Sequence, residues 1–101
     1  MIYVITCIDK PDALPRRIAN IDAHRSYLGS HTHPVDTLVS GPLVQEDGET
    51  MKGSFFMVEA ASRDAVLAWQ AEDPLANADV WETVSVEAFM KRVDNLSGAG
   101  A

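Results

Sequence analysis

The chain has 101 residues and a mass of 11.0 kDa, and its 8 lysines and arginines against 15 aspartates and glutamates give a net charge of −7. This length fits one domain, and a hydrophobic content of 47% is that of a folded protein. The acidic balance argues against a nucleic-acid partner, because phosphate backbones are bound by clustered lysines and arginines. No apolar run is long enough to predict a membrane span, and the single cysteine leaves no internal disulfide, so we expect a cytoplasmic protein.

The first two elements are predicted to be a strand and a helix. Residues 1–8 are apolar and largely β-branched at odd and even positions, which is typical of a strand buried on both faces. Asp12 is a candidate N-cap for the helix that follows and ends before Pro34. The apolar positions of this helix are spaced to share one buried face: Leu14, Ile18, Ile21 and Leu28.

A hairpin of two strands is predicted next. Residues 37–40 predict the second strand, which Ser40-Gly41-Pro42 is expected to end by forcing a sharp change of direction. Residues 45–50 form a polar turn that contains Asp47-Gly48. Residues 53–59 predict the third strand, so the two strands are joined as a hairpin with a longer loop.

The rest of the chain predicts a second helix, a short helical turn and a last strand. Ser62 is the expected cap of the second helix. Asp73-Pro74 breaks that helix, and the proline can open the short turn because proline is favoured at the first helical position. Residues 80–89 alternate apolar and polar side chains, which is the period of a half-buried strand.

The element order βαββαβ predicts an α+β, ferredoxin-like domain, in which a four-stranded antiparallel sheet carries both helices on one face. We assign residues 1–93 to this domain and residues 94–101 to a flexible C-terminal tail. The strands supply more apolar side chains than one helical layer needs, among them Phe55, Met57, Val84 and Val86. We therefore expect two subunits to pack sheet to sheet as a dimeric α+β barrel.

His24 is the residue that most suggests chemistry. It lies three residues after Ile21 and four before Leu28, so its side chain shares the apolar helix face and is expected to point toward the sheet. Such a histidine is either a core residue held by one hydrogen bond or a general acid or base. The second role needs an orienting carboxylate, for which Asp73 and Asp36 are equal candidates. Asp73 has the alternative role of capping the short helical turn that follows it.

The remaining polar residues give weaker signals. Ser40-Gly41-Pro42 either forms only a turn or lines a pocket, in which the serine hydroxyl or local N–H groups would bind an anionic or carbonyl oxygen. His31 and His33 have the spacing of adjacent metal ligands, and Asp36 is nearby, but a solvated loop is the better interpretation because further ligands are not evident. No metal or cofactor is predicted. Cys7 is expected to be a small buried hydrophobe.

Several short motifs match one known family in their order and spacing. They are Asp9-Lys10 after the first strand, Arg17, Ala23-His24, Tyr27-Leu28, Ser40-Gly41-Pro42, Trp69 and Asp73-Pro74. Over about residues 1–93, the chain resembles the YciI-like (YCII-related) family. A few members of that family are similar to enzymes of aromatic breakdown, including a chlorohydroxyhydroquinone dehydrochlorinase and the muconolactone isomerase group.

The resemblance implies a ferredoxin-like subunit that forms a homodimer with a His/Asp-centred cleft. The pair falls on His24 and Asp73, which favours Asp73 over Asp36 as the partner, and Ser40-Gly41-Pro42 would line the cleft and bind substrate. The implied function is that of a small-molecule enzyme, a lyase or isomerase that uses acid/base chemistry without a cofactor. The alternative is a non-catalytic ligand-binding or accessory module of the same fold.

Overall fold

The described residues form a four-stranded sheet with three helices. The structure, a computed structural model, describes residues 1–30 and 34–96. The elements in chain order are β1 (Ile2–Asp9), α1 (Leu14–Gly29), β2 (Val35–Val44), β3 (Met51–Ala60), α2 (Arg63–Ala71), α3 (Pro74–Asn77) and β4 (Trp81–Phe89). All strand pairs are antiparallel, in the order β2-β3-β1-β4. This confirms the predicted α+β, ferredoxin-like fold.

One face of the sheet is buried beneath the helices. The register pairs Ile5 with Phe56 and Cys7 with Ser54, and all four side chains are buried on this face. The alternate residues of β1 are only half-buried or exposed. The prediction that the first strand is buried on both faces was therefore wrong, because helices cover one face alone and successive side chains point to opposite faces.

Aromatic rings fill the space between the sheet and the helices. The ring of Phe56, which is 1% exposed, meets Trp69 of α2 edge-on at 5.5 Å and Trp81 of β4 at 6.2 Å between centroids. The ring of Tyr27 of α1 stacks on Trp69, and its hydroxyl donates to the Trp69 carbonyl at 2.6 Å. These contacts bring α1 and α2 onto the same face of the sheet, with Phe56 at the centre.

Helix α1 buries a different set of side chains from the one predicted. Ala13 is the N-cap and makes no side-chain capping bond, while Asp12 has a φ of 64°, in the left-handed region. Ile18 is 57% exposed, whereas Arg17 and His24 are buried. The predictions for Asp12 and Ile18 were therefore wrong. The two polar side chains take the inward positions because each finds a carboxylate partner there.

The caps of the two later helices involve the predicted residues. The Ser62 hydroxyl accepts a hydrogen bond from the backbone N–H of Ala65 at 3.2 Å and so caps α2. Asp73 Oδ1 accepts from the backbone N–H of Leu75 at 2.8 Å and caps α3, with Pro74 at the start of that helix. These side-chain acceptors fix where both helices begin.

Strand β2 continues through the motif that was expected to end it. The pairing of Val35–Val44 with β3 includes Ser40-Gly41-Pro42, so the prediction of a sharp turn at this motif was wrong. The register instead shifts by one residue just before Val39, as in a β-bulge. This shift changes which residues face the helices and places Ser40 opposite Phe56.

The other face of the sheet is covered in part by residues 91–96, the C-terminal segment that follows β4. Val86 and the partly exposed Val84 belong to the helix-facing side of β4, while several apolar side chains lie on the opposite face. That opposite face carries Ile2, Val4, Val39, Phe55, Met57 and Phe89. Residues from the C-terminal segment and from this face together line a cavity of about 320 Å³.

Some predictions lie outside the described residues, namely those for His31, His33 and residues 97–101. Within residues 1–30 and 34–96, no helix is long and apolar enough to cross a membrane. The same residues contain no group of three or more side chains that could hold a metal ion. The domain boundary at residue 93 and the cytoplasmic location stay predictions.

The close approach of β1 and β3 at Gly53 gives a stability test. A Cβ on Gly53 would lie 2.4 Å from the Cys7 backbone oxygen, whereas one on Gly41 would have nothing within 4 Å. We expect Gly53→Ala to lower the free energy of unfolding by about 1–3 kcal/mol, because the paired strands must separate to admit the methyl group. Gly41→Ala is the matched control, with an expected change below about 0.5 kcal/mol in urea denaturation. Equal stability of the two variants would contradict the prediction.

Candidate active site

His24 and Asp73 lie within hydrogen-bonding distance although 49 positions separate them in the sequence. His24 Nδ1 is 2.8 Å from both carboxylate oxygens of Asp73. The two residues are 7% and 1% exposed, so the interaction is shielded from water. The inward face of α1 thus meets the start of α3, where the break before Pro74 leaves the Asp73 side chain free to reach the imidazole.

The Asp73 carboxylate satisfies two groups at once, the Leu75 backbone N–H and the imidazole of His24. A carboxylate has enough lone pairs for both, so the capping role and the histidine-partner role are compatible. With Nδ1 at the carboxylate, the tautomer with its proton on Nδ1 is favoured, and Nε2 is left as the basic nitrogen. Asp36 is exposed on the other face of the sheet, opposite Glu59, and does not take part.

His24 lines a cavity of about 230 Å³ between α1 and the β2–β3 hairpin. Its lining residues are Arg17, Ile21, His24, Arg25 and Leu28 from α1, Ser40, Gly41 and Pro42 from β2, and Met51 and Ser54 from β3. Asp73 is absent from this lining and therefore lies behind the imidazole. Ser40-Gly41-Pro42 forms one wall, so the structure places this motif and His24 in the same cavity.

The sequence interpretation missed a second buried carboxylate interaction, the ion pair between Arg17 and Asp9. Arg17 Nε and Nη2 donate to the two carboxylate oxygens of Asp9 at 2.7 Å each, and Nη2 also donates to Ser54 Oγ at 2.8 Å. The Arg17 and Asp9 side chains are 1% and 7% exposed. A signal was present, because Arg17 precedes His24 by seven residues, or about two helical turns, and so shares its face.

Cys7 is buried in the sheet beneath the helices and does not line the cavity. Burial raises the pKa of its thiol to about 12, and the nearby negative charge of Asp73 adds to the effect. The thiolate is the reactive form of cysteine, and at neutral pH this residue holds its proton. Cys7 is therefore a core side chain, as the sequence predicts, and is unsuited to be a nucleophile.

Comparison with known proteins places the chain in a family. A family model described as the YCII-related domain matches residues 1–90. The chain belongs to the YCII-related family. It is 34% identical to the protein YciI of Escherichia coli over 96 residues, which cover 90% of this chain and 98% of that protein. An uncharacterized protein of Haemophilus influenzae is 30% identical over the same proportions of the two chains.

Solved structures in the comparison support the fold of this YCII-related chain. The 5-chloro-2-hydroxyhydroquinone dehydrochlorinase TftG of Burkholderia phenoliruptrix, in complex with 2,5-dihydroxybenzoquinone, has a TM-score of 0.79 and 32% identity. The match covers 89% of this chain and 94% of TftG. A protein of Arabidopsis thaliana, at a TM-score of 0.51 and 17% identity, is similar in fold alone.

The protonation state of Cys7 gives a chemical test. Because its thiol pKa lies near 12, the folded protein is expected to react with a thiol reagent at pH 8 at least about a hundredfold more slowly than the urea-unfolded chain. Absorbance of the released chromophore from a disulfide reagent measures both rates. Equal rates in the two states would show that the thiol is neither buried nor protonated as described.

Proposed function

We propose that this protein is an enzyme in which His24 acts as a general acid and base and Asp73 orients the imidazole and stabilises its protonated form. The observation that carries the proposal is the buried 2.8 Å contact between His24 Nδ1 and the Asp73 carboxylate, with the imidazole bordering a cavity. Buried histidine–carboxylate pairs beside a cavity are the usual arrangement for proton transfer at neutral pH. The cavity residues also match the motifs that the family resemblance singles out.

The proposed substrate is a small hydroxylated ring compound. TftG, which is 32% identical over most of the chain, is named for a chlorinated hydroxyhydroquinone and was solved with a hydroxyquinone. The cavity of about 230 Å³ lies below the range of about 300–1,000 Å³ typical of sites for drug-sized ligands, so it suits a single six-membered ring. A lyase or isomerase reaction on such a ring fits the volume of the cavity and the acid/base role proposed for His24.

Loss of hydrogen chloride from such a ring needs only proton transfers. His24 Nε2 first takes a proton from a ring hydroxyl, whose electron pair enters the ring, and the protonated imidazole then delivers a proton to the carbon that bears chlorine. The imidazole, now neutral again, takes the proton of a second hydroxyl, and the electron pair that this proton leaves behind moves through the ring and expels chloride with the bonding pair. The balance is one hydrogen chloride lost and one quinone formed, with no cofactor required.

In this proposal Ser40-Gly41-Pro42 binds substrate. The motif borders the cavity, and Ser40 lies opposite Phe56, whose ring is 5.9 Å from the His24 ring between centroids. The Ser40 hydroxyl and the backbone N–H groups at this position offer hydrogen-bond donors to an oxygen of the ring substrate. Gly41 borders the cavity through its backbone, since its register partner Phe55 belongs to the other face of the sheet.

We further propose a homodimer that packs through the sheet face opposite the helices. Half-buried apolar side chains on this face, with Met57 near its middle, are the support for this proposal. A domain of this size has a modest core and gains stability from a second apolar interface. The cavity beside His24 lies on the helical face, so association leaves His24 accessible to substrate.

Removal of the His24–Asp73 interaction tests the proposed function. We expect His24→Gln and Asp73→Asn each to lower turnover of 5-chloro-2-hydroxyhydroquinone by about 10²–10⁴-fold. Asparagine keeps the helix-capping acceptor, so Asp73→Asn separates the loss of orientation from the loss of the α3 cap. Chloride release measures turnover, and circular dichroism checks that each variant is folded.

The matched control is Asp36→Asn, which removes the exposed carboxylate that the sequence left as the alternative partner. Its turnover is expected to equal that of the wild type. Full activity in a folded His24→Gln variant would overturn the proposed role. Binding of 2,5-dihydroxybenzoquinone by the wild type without any turnover of hydroxylated rings would instead favour the non-catalytic ligand-binding alternative.

The proposed dimer has its own test. Sedimentation equilibrium at micromolar concentration is expected to give twice the 11.0 kDa chain mass for the wild type. Met57→Lys is expected to give monomers, because it places a charge at the centre of the apolar interface. Leu67→Lys, at a 40% exposed position on α2, is the control and should stay dimeric. A monomeric wild type would exclude the dimer.

A further inference from the structure

The cavity beside His24 has a charge distribution unlike that of the chain as a whole. The chain carries a net charge of −7, yet the cavity lining contains two arginines, one histidine and no carboxylate. Asp9 and Asp73 lie behind the side chains that they bind and are not part of the lining. The negative charges of the protein are therefore kept away from the surface that a ligand would touch.

Arg17 lines the cavity and keeps one hydrogen-bond donor that no described residue uses. Its Nε and Nη2 atoms are occupied by Asp9 and Ser54, whereas Nη1 has no hydrogen-bond acceptor among the described residues. Asp9 compensates the charge of the Arg17 guanidinium, so burial of the guanidinium is tolerated. The two parallel hydrogen bonds to Asp9 fix the plane of the guanidinium and therefore the direction of Nη1. A ligand oxygen that accepts from Nη1 would therefore meet a donor already in place.

Arg25 supplies an uncompensated positive charge at the mouth of the same cavity. Its side chain is 74% exposed, and its ion-pair partner within residues 1–30 and 34–96, Asp22, lies 4.0 Å from Nη1 and is 99% exposed. A pair of this kind is weak because both groups remain in water. The field of Arg25 therefore acts on a ligand entering the cavity and offsets, locally, the repulsion of an anion by the acidic chain.

We propose that this cavity binds its ring substrate as an oxyanion, with the charged oxygen held by Arg17 Nη1 and attracted by Arg25. The proposal rests on the proposed function of the same site and specifies its substrate class as acidic phenols and hydroxyquinones. Arg17 and His24 are seven residues apart, a rise of about 10 Å along α1. That distance accommodates one ring with oxygens at opposite ends, one at Arg17 and one at His24 Nε2.

A proton transfer from the ligand to His24 produces two charges, and groups of the site stabilise both of them. When an acidic hydroxyl gives its proton to Nε2, the result is an oxyanion and an imidazolium. Asp73 balances the imidazolium from behind, and in a hydroxyquinone the negative charge is shared through the conjugated ring with the oxygen that faces Arg17. Each new charge then has an opposite charge or a fixed donor next to it, so the proton transfer occurs without an isolated charge in the cavity.

Two probes of the same ring size test the proposal by isothermal titration calorimetry at pH 7. One is 2,5-dihydroxybenzoquinone, an acidic hydroxyquinone that is anionic at neutral pH, and the other is hydroquinone, which is neutral there. We expect the wild type to bind the anionic probe at least about tenfold more tightly, since hydrogen bonds to charged groups are the stronger ones. Equal affinities would overturn the proposal.

Substitutions of Arg25 and Arg17 test which side chains produce the preference for the anionic probe. Arg25→Gln is expected to weaken binding of the anionic probe about two- to fivefold and to leave hydroquinone unaffected, because the lost interaction is that of an exposed charge. Arg17→Lys keeps a positive charge against Asp9 but loses the fork, and is expected to weaken the anionic probe about tenfold or more. Arg92→Gln makes the same charge change at an exposed position outside the cavity and should bind both probes as the wild type does.

The experiments distinguish failure of the proposed oxyanion site from failure of the proposed acid/base role of His24. If Arg17→Lys does not fold, the exposed Arg25→Gln variant still decides, since unchanged affinity of this variant for the anionic probe would overturn the proposed role of Arg25. Selective anion binding together with full turnover by His24→Gln would uphold the oxyanion site and refute the acid/base role of His24. Loss of turnover in His24→Gln without anion selectivity in the wild type would do the reverse.

Discussion

The burial of the Asp73 carboxylate is the constraint on which the site and the packing of two helices depend. A carboxylate that is 1% exposed is tolerated only if polar partners replace its water, and it finds them in the Leu75 N–H and the His24 imidazole. The first bond begins α3, and the second ties that helix to α1. Because a buried carboxylate that loses a hydrogen-bond donor costs about 1–3 kcal/mol or more, the positions of the two helices are coupled to the orientation of the imidazole.

The two buried carboxylate interactions are better explained by function than by stability. Arg17 and His24 occupy inward positions of α1 that apolar side chains would fill at equal or lower cost, since the desolvation of charged groups offsets much of their attraction. Both residues border the same cavity. The core contributed by Phe56 and the surrounding aromatic rings is thus interrupted on the side where polar groups meet that cavity, which is the cost expected of the proton-transfer site that we propose.

Short-range sequence patterns predicted the order of strands and helices. The wrong predictions concern side chains whose burial is determined by residues distant in the sequence. The Ser62 cap and the strand–helix order depend on neighbours a few residues away, and both were predicted from the sequence. The inward face of α1 was misassigned at Ile18 because Arg17 is buried by Asp9 and Ser54, and nothing in helical periodicity indicates those partners. The choice of Asp73 over Asp36 likewise came from the family resemblance, since their separation from His24 in the sequence carries no distance information.

Strand β3 connects the cavity to the uncovered face of the sheet. Ser54 and Phe56 point toward the helices, and Ser54 lines the cavity, while Phe55 and Met57 point to the opposite face. A slip of one residue in the register of β3 would exchange the two sets, since neighbouring side chains of a strand alternate in direction. The close approach of Gly53 to the Cys7 carbonyl admits no side chain at that position, so it disfavours such a slip. The register of one strand therefore sets both the shape of the candidate site and the apolar surface proposed for association.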